Sequence, residues 1–242
     1  MQIVGIVINV IGMLILFLTL WEMIKQRQSS YKPDVYLENT TAYHLLYVEE
    51  INDFAWSRTN TLKKEELYKN DVFINVFNLG LGPAKCLKIN IHTDITHFLS
   101  VFDKLNAKSV KVKILDDHFV HIDRDIPLIT ENMTYNIEEN VLISSNNMQG
   151  IQIPLPRYYK ELYSNIIYEF VNSPEKRQNK MNHELGTIPP LIADIKYTDI
   201  GKHNYSKRIK ISVQSYVING RKEKIDEGVW NLAQIYLSFK EM

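Results

Sequence analysis

The longest apolar run in the chain lies at its beginning. From Ile3 to Trp21 almost every side chain is apolar, and as a helix this run would be about 28 Å long. That length suits the hydrocarbon core of a bilayer, which is about 30 Å thick. The sequence offers neither the basic start nor the small-residue cleavage site of a signal peptide. We therefore predict a single transmembrane α-helix over residues 1–24, a linker over 25–33 and one domain over 34–242.

Basic residues flank only one end of this run. Lys25, Arg27 and Lys32 follow it, and no Lys or Arg precedes it. Because basic flanks remain on the cytoplasmic side, we expect the N-terminus outside and the C-terminal domain in the cytoplasm. The predicted location is the inner (cytoplasmic) cell membrane, crossed once. The single cysteine, Cys86, excludes an internal disulfide framework and fits a reducing compartment.

A few small or polar residues interrupt the apolar run at intervals of four and three. This spacing places them on one stripe of the helix. Small residues let two helices approach closely, and an amide in hydrocarbon seeks a partner. We predict a self-associating helix with Asn9 at its seam; alternatively, a single-pass helix tolerates these residues without consequence. The stripe consists of Gly5, Asn9, Gly12, Leu16 and Thr19.

After the linker, alternation of apolar and polar residues predicts strands. The pattern has a period of two over 86–95, 110–115, 151–155, 191–200 and 208–218. Two segments are assigned to helices: 157–170, where apolar residues recur at helical spacing, and 226–242, where they fall on several faces. Many short strands and few helices predict a mainly β chain, folded as an antiparallel β-sandwich with one or two added helices.

The most distinctive local motif is Asn-Leu-Gly-Leu-Gly-Pro-Ala at residues 78–84. Glycine permits backbone angles closed to other residues, and Asn can hydrogen-bond the backbone locally. The motif lacks the Gly-Lys-Ser/Thr of a phosphate loop and does not open onto a helix. It is therefore expected to be a turn that joins two strands.

Three short motifs follow one another along the chain: Pro33 with Val35, the turn 78–84, and a Tyr-x-Asp-x-x-Gly-x-x-Tyr segment at 197–205. The turn resembles one in immunoglobulin-like bacterial β-sandwich modules. The order of all three resembles a loose group of uncharacterised bacterial proteins with one N-terminal membrane helix and a cytosolic domain. The resemblance implies an immunoglobulin-like fold for the β-sandwich. It carries over no catalytic residue, because none is established in the group.

The chain is neutral overall, with 28 basic and 28 acidic residues, which argues against nucleic-acid binding. Locally, residues 116–139 contain seven acids and one base, and residues 196–224 contain eight bases and two acids. The basic segment suits anionic lipid headgroups, an anionic ligand, the acidic segment of another copy, or simply a solvated face. The candidate contact residues are Lys202, Lys207, Arg208, Lys210, Arg221, Lys222 and Lys224.

No reaction signature accompanies these features. His118 and His121 lie among aspartates, but in a strand they face opposite sides and the calcium-loop pattern is missing. Cys86 and His92 would be about 20 Å apart along a strand, and free cysteine is often a small core residue. We predict no catalytic residues, no metal and no cofactor.

The sequence thus predicts a non-enzymatic, membrane-anchored binding, adaptor or sensor protein that self-associates. Its expected partners are membrane lipid, further copies of itself and another protein, and no nucleic acid. A bacterial stress or anti-phage (antiviral defence) system would suit this design. The alternatives are an extracytoplasmic adhesion or scaffold β-sandwich, which requires the opposite topology, and a hydrolase with an unrecognised site.

Overall fold

The computed structural model describes residues 2–39, 41–50, 52–58, 72–105, 111–115, 119–123, 129–143, 150–172, 188–216 and 223–242. Within these ranges the helices are α1 (Gln2–Ser30), α2 (Ile95–Leu105) and α3 (Arg157–Asn172). The strands there are β1 (Val35–Glu38), β2 (Tyr43–Val48), β3 (Asp53–Ser57), β4 (Phe73–Asn78), β5 (Ala84–Thr93), β6 (Lys111–Leu115), β7 (Phe119–Asp123), β8 (Ile129–Asn132), β9 (Tyr135–Leu142), β10 (Ile151–Pro154), β11 (Leu191–Thr198), β12 (Asn204–Tyr216), β13 (Glu223–Asp226) and β14 (Val229–Glu241).

Helix α1 contains a segment that is long and apolar enough to cross a membrane, Asn9–Arg27, and none of that segment is buried. The helix continues through residues 25–30, which we had assigned to the linker. The reason is local: Lys, Gln and Arg favour helix, and the first proline is Pro33, which disfavours helix in the residue before it. The non-helical connection to β1 is therefore only residues 31–34.

The chain is mainly β, as predicted, and its sheets are antiparallel. The largest sheet has the order β3-β2-β14-β12-β11-β5-β9, with β13 paired to β14. Two three-stranded sheets have the orders β1-β4-β10 and β6-β7-β8. Strands β4 and β5 belong to different sheets, so the turn at residues 78–84 carries the chain from one sheet to the other.

One cluster of buried side chains joins the β1-β4-β10 sheet, the large sheet, α2 and α3. In β11 the residues predicted to face inward, Leu191, Ala193, Ile195 and Tyr197, are all buried. The predicted helix α3 is confirmed. It also buries polar positions such as Ser164, whose hydroxyl accepts a 2.8 Å hydrogen bond from the Trp56 indole N–H. The helix thus lies inside the domain and contacts α2, β3, β8 and β14.

Helix α2 was not predicted, because the alternation in β5 had been extended to Ile95. The carboxylate of Asp94 accepts a 2.9 Å hydrogen bond from the backbone N–H of His97, which caps the first turn of α2. Phe98 and Val101 follow Ile95 at helical spacing, and all three are buried. The capping aspartate was the available signal for this helix.

The helix predicted over residues 226–242 is wrong: the segment forms β14, between β2 and β12. Ala233, Ile235 and Leu237 are buried with the alternation of a strand. A register shift between Asn231 and Ala233 interrupts that alternation, and Leu232 next to it is buried as well. This irregularity spread the apolar residues over several faces of the assumed helix.

Replacing a buried and a neighbouring outward residue of β14 by alanine tests this assignment. Ile235→Ala should lower the free energy of unfolding by about 2–5 kcal/mol, because it leaves a cavity. Gln234→Ala, the matched control, should change it by about 0.5 kcal/mol. Urea unfolding of the full chain in detergent, followed by tryptophan fluorescence, measures both. Equal losses at the two positions would contradict the strand.

Candidate functional site

The three motifs of the sequence meet at the end of the domain to which α1 is attached. The connecting segment, residues 31–34, is here called the tether. It lies against the turn at residues 78–84 and the hairpin at residues 197–205. These two elements, together with Lys207, are called the clasp.

Asn78, fully buried at the end of β4, connects the tether to the rest of the clasp. Its Oδ1 accepts hydrogen bonds from the backbone N–H of Asp34 (2.9 Å) and of Gly80 (3.1 Å). Its Nδ2 donates to the carbonyl oxygens of Gly82 (2.7 Å) and Leu142 (3.2 Å). The backbone N–H of Leu79 also donates to the carbonyl of Asp34, at 2.8 Å. One side chain therefore holds the tether, the turn and the end of β9.

Gly80 and Gly82 are required by close approach of the tether. A Cβ on Gly80 would lie 2.2 Å from the carbonyl oxygen of Lys32, and one on Gly82 would lie 1.8 Å from that of Tyr31. The sequence predicts instead that these glycines supply unusual backbone angles. Among the described glycines, positive φ occurs at Gly228 and not at these two. The turn thus requires glycine at both positions because a side chain there would collide with the backbone of the tether.

The hairpin between β11 and β12 is built around Asp199. Its carboxylate accepts hydrogen bonds from the backbone N–H of His203 (2.9 Å) and the hydroxyl of Tyr205 (3.0 Å), and lies 2.8 Å from Nδ1 of His203. Burial acts to raise the pKa of Asp199, but these hydrogen bonds lower it overall. Tyr205 stacks on Tyr197 at 5.3 Å between ring centroids. The tyrosines and the aspartate of the motif therefore stabilise the hairpin.

Charged and aromatic contacts attach this hairpin to the tether. The ammonium of Lys32 lies 5.2 Å from the centre of the Tyr205 ring, a cation–π contact. Lys207 forms an ion pair with Asp34 and lies 3.6 Å from Glu241. Partial burial acts to lower the pKa of Lys207, but the hydrogen bond and charge of Asp34, with Glu241, raise it overall. Its side chain is only 19% exposed, so this charge is directed to the tether.

The other cations of the candidate contact are spread over the large sheet. Arg208 donates a 2.6 Å hydrogen bond to Asp194, whose second oxygen lies 3.0 Å from Nε2 of His92. Lys202 is in the β11–β12 turn, Lys210 faces Lys240 across β12 and β14, and Lys224 is on β13. Lys207 and Arg208 are thus paired internally, and the lipid or ligand contact of the set stays a prediction. Arg221, Lys222 and His118 lie outside the described residues.

The stripe predicted as a seam lies on α1. Nothing lies within 4 Å of a Cβ built on Gly12, and Leu16 is exposed. The Thr19 hydroxyl donates to the carbonyl of Ile15 at 2.8 Å, so its hydrogen bond is made within the helix. Gly5 lies one turn before Asn9, which has no hydrogen-bond partner among the described residues. Asn9 is therefore the member of the stripe whose side-chain amide makes no hydrogen bond within the described part of the chain.

A polar groove of about 320 Å³ lies on the outer face of β5, β9, β11 and β12. Lys88 and Glu138 form an ion pair of 2.7 Å at its edge, and the Asn90 Oδ1 is buried without a hydrogen bond within the described part of the chain. The hydrogen bond from Arg208 holds the pKa of Asp194 below its usual value, so this carboxylate stays ionised at neutral pH. An ionised, paired carboxylate is not poised for general acid catalysis.

Cys86 is exposed and is not the small core residue expected from the sequence. It has a φ of 49° at a register shift between β5 and β11, which turns its side chain out of the sheet pattern. Among the described residues, no group of three or more His, Cys, Asp or Glu side chains could hold a metal ion.

Comparison with known proteins gives no further assignment. The chain matches no protein-family model, no curated protein sequence and no solved structure. The likeness to membrane-anchored bacterial β-sandwich proteins, drawn from three short motifs, therefore stays a prediction.

The clasp can be opened by a single methyl group. Gly82→Ala should displace the carbonyl of Tyr31 and release the hydrogen bonds of Asp34, at a local cost of about 2 kcal/mol. Amide hydrogen exchange in peptides covering residues 31–38 should then be roughly thirtyfold faster. Ile143→Ala, at an exposed residue beside Leu142 at the end of β9, is the control and should exchange as the wild type does. Equal exchange in both variants would show that the close approach does not hold the tether.

Proposed function

We propose that this chain is a non-enzymatic, membrane-anchored adaptor or sensor whose β domain is held in a fixed orientation relative to its membrane helix. The clasp is the observation that carries this proposal. A flexible linker is sufficient to keep a domain near a membrane. A four-residue tether bound by Asn78 and Lys207 additionally couples the orientation of α1 to that of the domain. A change in helix packing would therefore move the domain, and binding to the domain would move the helix.

Self-association through α1 is the second part of the proposal. The Asn9 amide has no partner within the described chain, and in hydrocarbon an interhelical hydrogen bond would contribute about 0.5–2 kcal/mol. Gly12 leaves open space beside it, which allows a second helix to approach. Both observations support an assembly of identical helices.

The proposed location is the cytoplasmic membrane, with the N-terminus outside and the domain in the cytoplasm. Lys25 and Arg27 at the end of α1 and the exposed free thiol of Cys86 support this orientation. The β1-β4-β10 sheet shares a core with the large sheet, and we propose this pair as the immunoglobulin-like sandwich. The protein partner is expected in the same compartment, in keeping with a bacterial stress or anti-phage system.

Substitution on and off the stripe tests self-association. Asn9→Leu removes the unpaired amide and should weaken the oligomer by up to about tenfold in its dissociation constant. Val10→Leu introduces the same side chain on another face of the helix and should leave the assembly unchanged. Single-molecule photobleaching of the labelled full chain in vesicles, over a range of protein-to-lipid ratios, measures the constant. An unchanged dissociation constant for Asn9→Leu would contradict the proposal that Asn9 lies in the contact between helices.

The native thiol reports the topology. Because Cys86 is exposed, a membrane-impermeant maleimide should label it in permeabilised cells and not in intact cells. Cys86→Ser is the control for labelling elsewhere. Labelling of intact cells would place the domain outside and would favour the extracytoplasmic adhesion or scaffold module.

A further inference from the structure

Large apolar side chains surround the point where α1 joins the domain. Leu79 and Leu81 of the turn are 58% and 60% exposed, and Ile200 at the end of the hairpin is 61% exposed. Tyr31, the first residue of the tether, is exposed to a similar degree. These four residues are here called the rim. A contiguous apolar patch on a protein surface marks a site of interaction with another protein or with a membrane.

The contacts of the tether show that the hairpin is directed toward α1. From the start of β1 back through the tether, Val35 is hydrogen-bonded to Tyr197, Asp34 pairs with Lys207, and Lys32 lies over Tyr205. The tether residues nearer to α1 therefore contact residues nearer to the beginning of β12. The turn that precedes β12, with Ile200 and Lys202, lies beyond Tyr205 in that direction.

The turn that carries Leu79 and Leu81, the other rim residues, is also close to the end of the tether that joins α1. Gly80 contacts Lys32 and Asp34, whereas Gly82 contacts Tyr31, nearer to α1. Leu81 lies between these glycines, in the turn that packs against the end of the tether next to α1, and it is exposed.

The helix brings the rim to the surface of a bilayer. The candidate membrane-spanning segment of α1 ends at Arg27, and Tyr31 is four residues, about 6 Å, further along. The headgroup layer on each side of a bilayer is about 5–8 Å thick. Tyr31 would thus emerge within this layer, where tyrosine side chains are enriched.

We propose that the rim sits in the headgroup layer of the bilayer that α1 crosses, so that Tyr31, Leu79, Leu81 and Ile200 contact lipid. Lys32 and Lys202, on the same end of the domain, then face anionic headgroups. This inference rests on the proposed membrane crossing and adds the lipid surface as a partner of the domain. Lys202 becomes the residue of the predicted cation set placed for lipid, whereas Lys207 holds the tether.

Site-directed spin labelling of the full chain tests the rim. In a Cys86→Ser background, single cysteines replace Leu81, Ile200 or, as control, Tyr216. Tyr216 is as exposed as Ile200, at 61%, and lies at the other end of β12, about 40 Å away. The proteins are reconstituted in vesicles of phosphatidylcholine and phosphatidylglycerol. Accessibility to oxygen relative to a water-soluble nickel complex should be several-fold higher at positions 81 and 200 than at position 216.

Two results would overturn the lipid contact. The first is equal accessibility to the nickel complex at positions 81, 200 and 216. The second is protection of positions 81 and 200 from both reagents that disappears on dilution with lipid, which would identify a second copy as the occupant. Flotation of the same vesicles after alkaline washing separates these results from a failure of the proposed function. If alkaline washing removes the protein from the vesicles, α1 does not cross the membrane and the proposed function fails. If the protein is retained but the rim is accessible to the nickel complex, only the proposed lipid contact is contradicted.

Discussion

The buried amide of Asn78 is the interaction on which the attachment of the domain to its helix depends. It uses both donor and both acceptor positions, on the tether, the turn and the end of β9. A buried polar group that loses its partner costs about 1–3 kcal/mol. The tether therefore cannot leave the clasp without leaving buried hydrogen-bonding groups unpaired. The tether therefore holds α1 and the domain in one relative orientation and does not act as a flexible linker.

The clasp combines contacts that respond differently to the solvent. The fit of the tether carbonyls against Gly80 and Gly82 is steric and does not depend on salt. The pair between Lys207 and Asp34 is electrostatic. Because Lys207 is partly buried, salt screens this pair less than it screens a fully exposed pair. Ionic strength would thus weaken the contacts of the outer sheet face, such as Lys88 with Glu138, before it affects the clasp.

The sequence allowed the mainly β fold, the apolar helix and α3 to be predicted, because these depend on local periodicity. It did not allow β14 to be recognised, since the shift at Asn231 disguised a strand that pairing on both sides stabilises. The turn at residues 78–84 was placed correctly, but its glycines were explained by backbone angles. The true reason is a contact with residues more than forty positions earlier, as for Asn78 and Asp34 with a separation of 44. A single sequence does not display such contacts.

The motifs that gave the chain its resemblance are therefore structural in a specific sense. Pro33 is buried at the tether, Asn78 and the two glycines receive the tether, and Tyr197 and Tyr205 contact it from the hairpin. Together they encode how a β domain is attached to the apolar helix α1. Their polar groups are engaged with one another and with the tether within the clasp. The outer face of the large sheet, with Asn90, Lys196 and Lys210, is separate from the clasp.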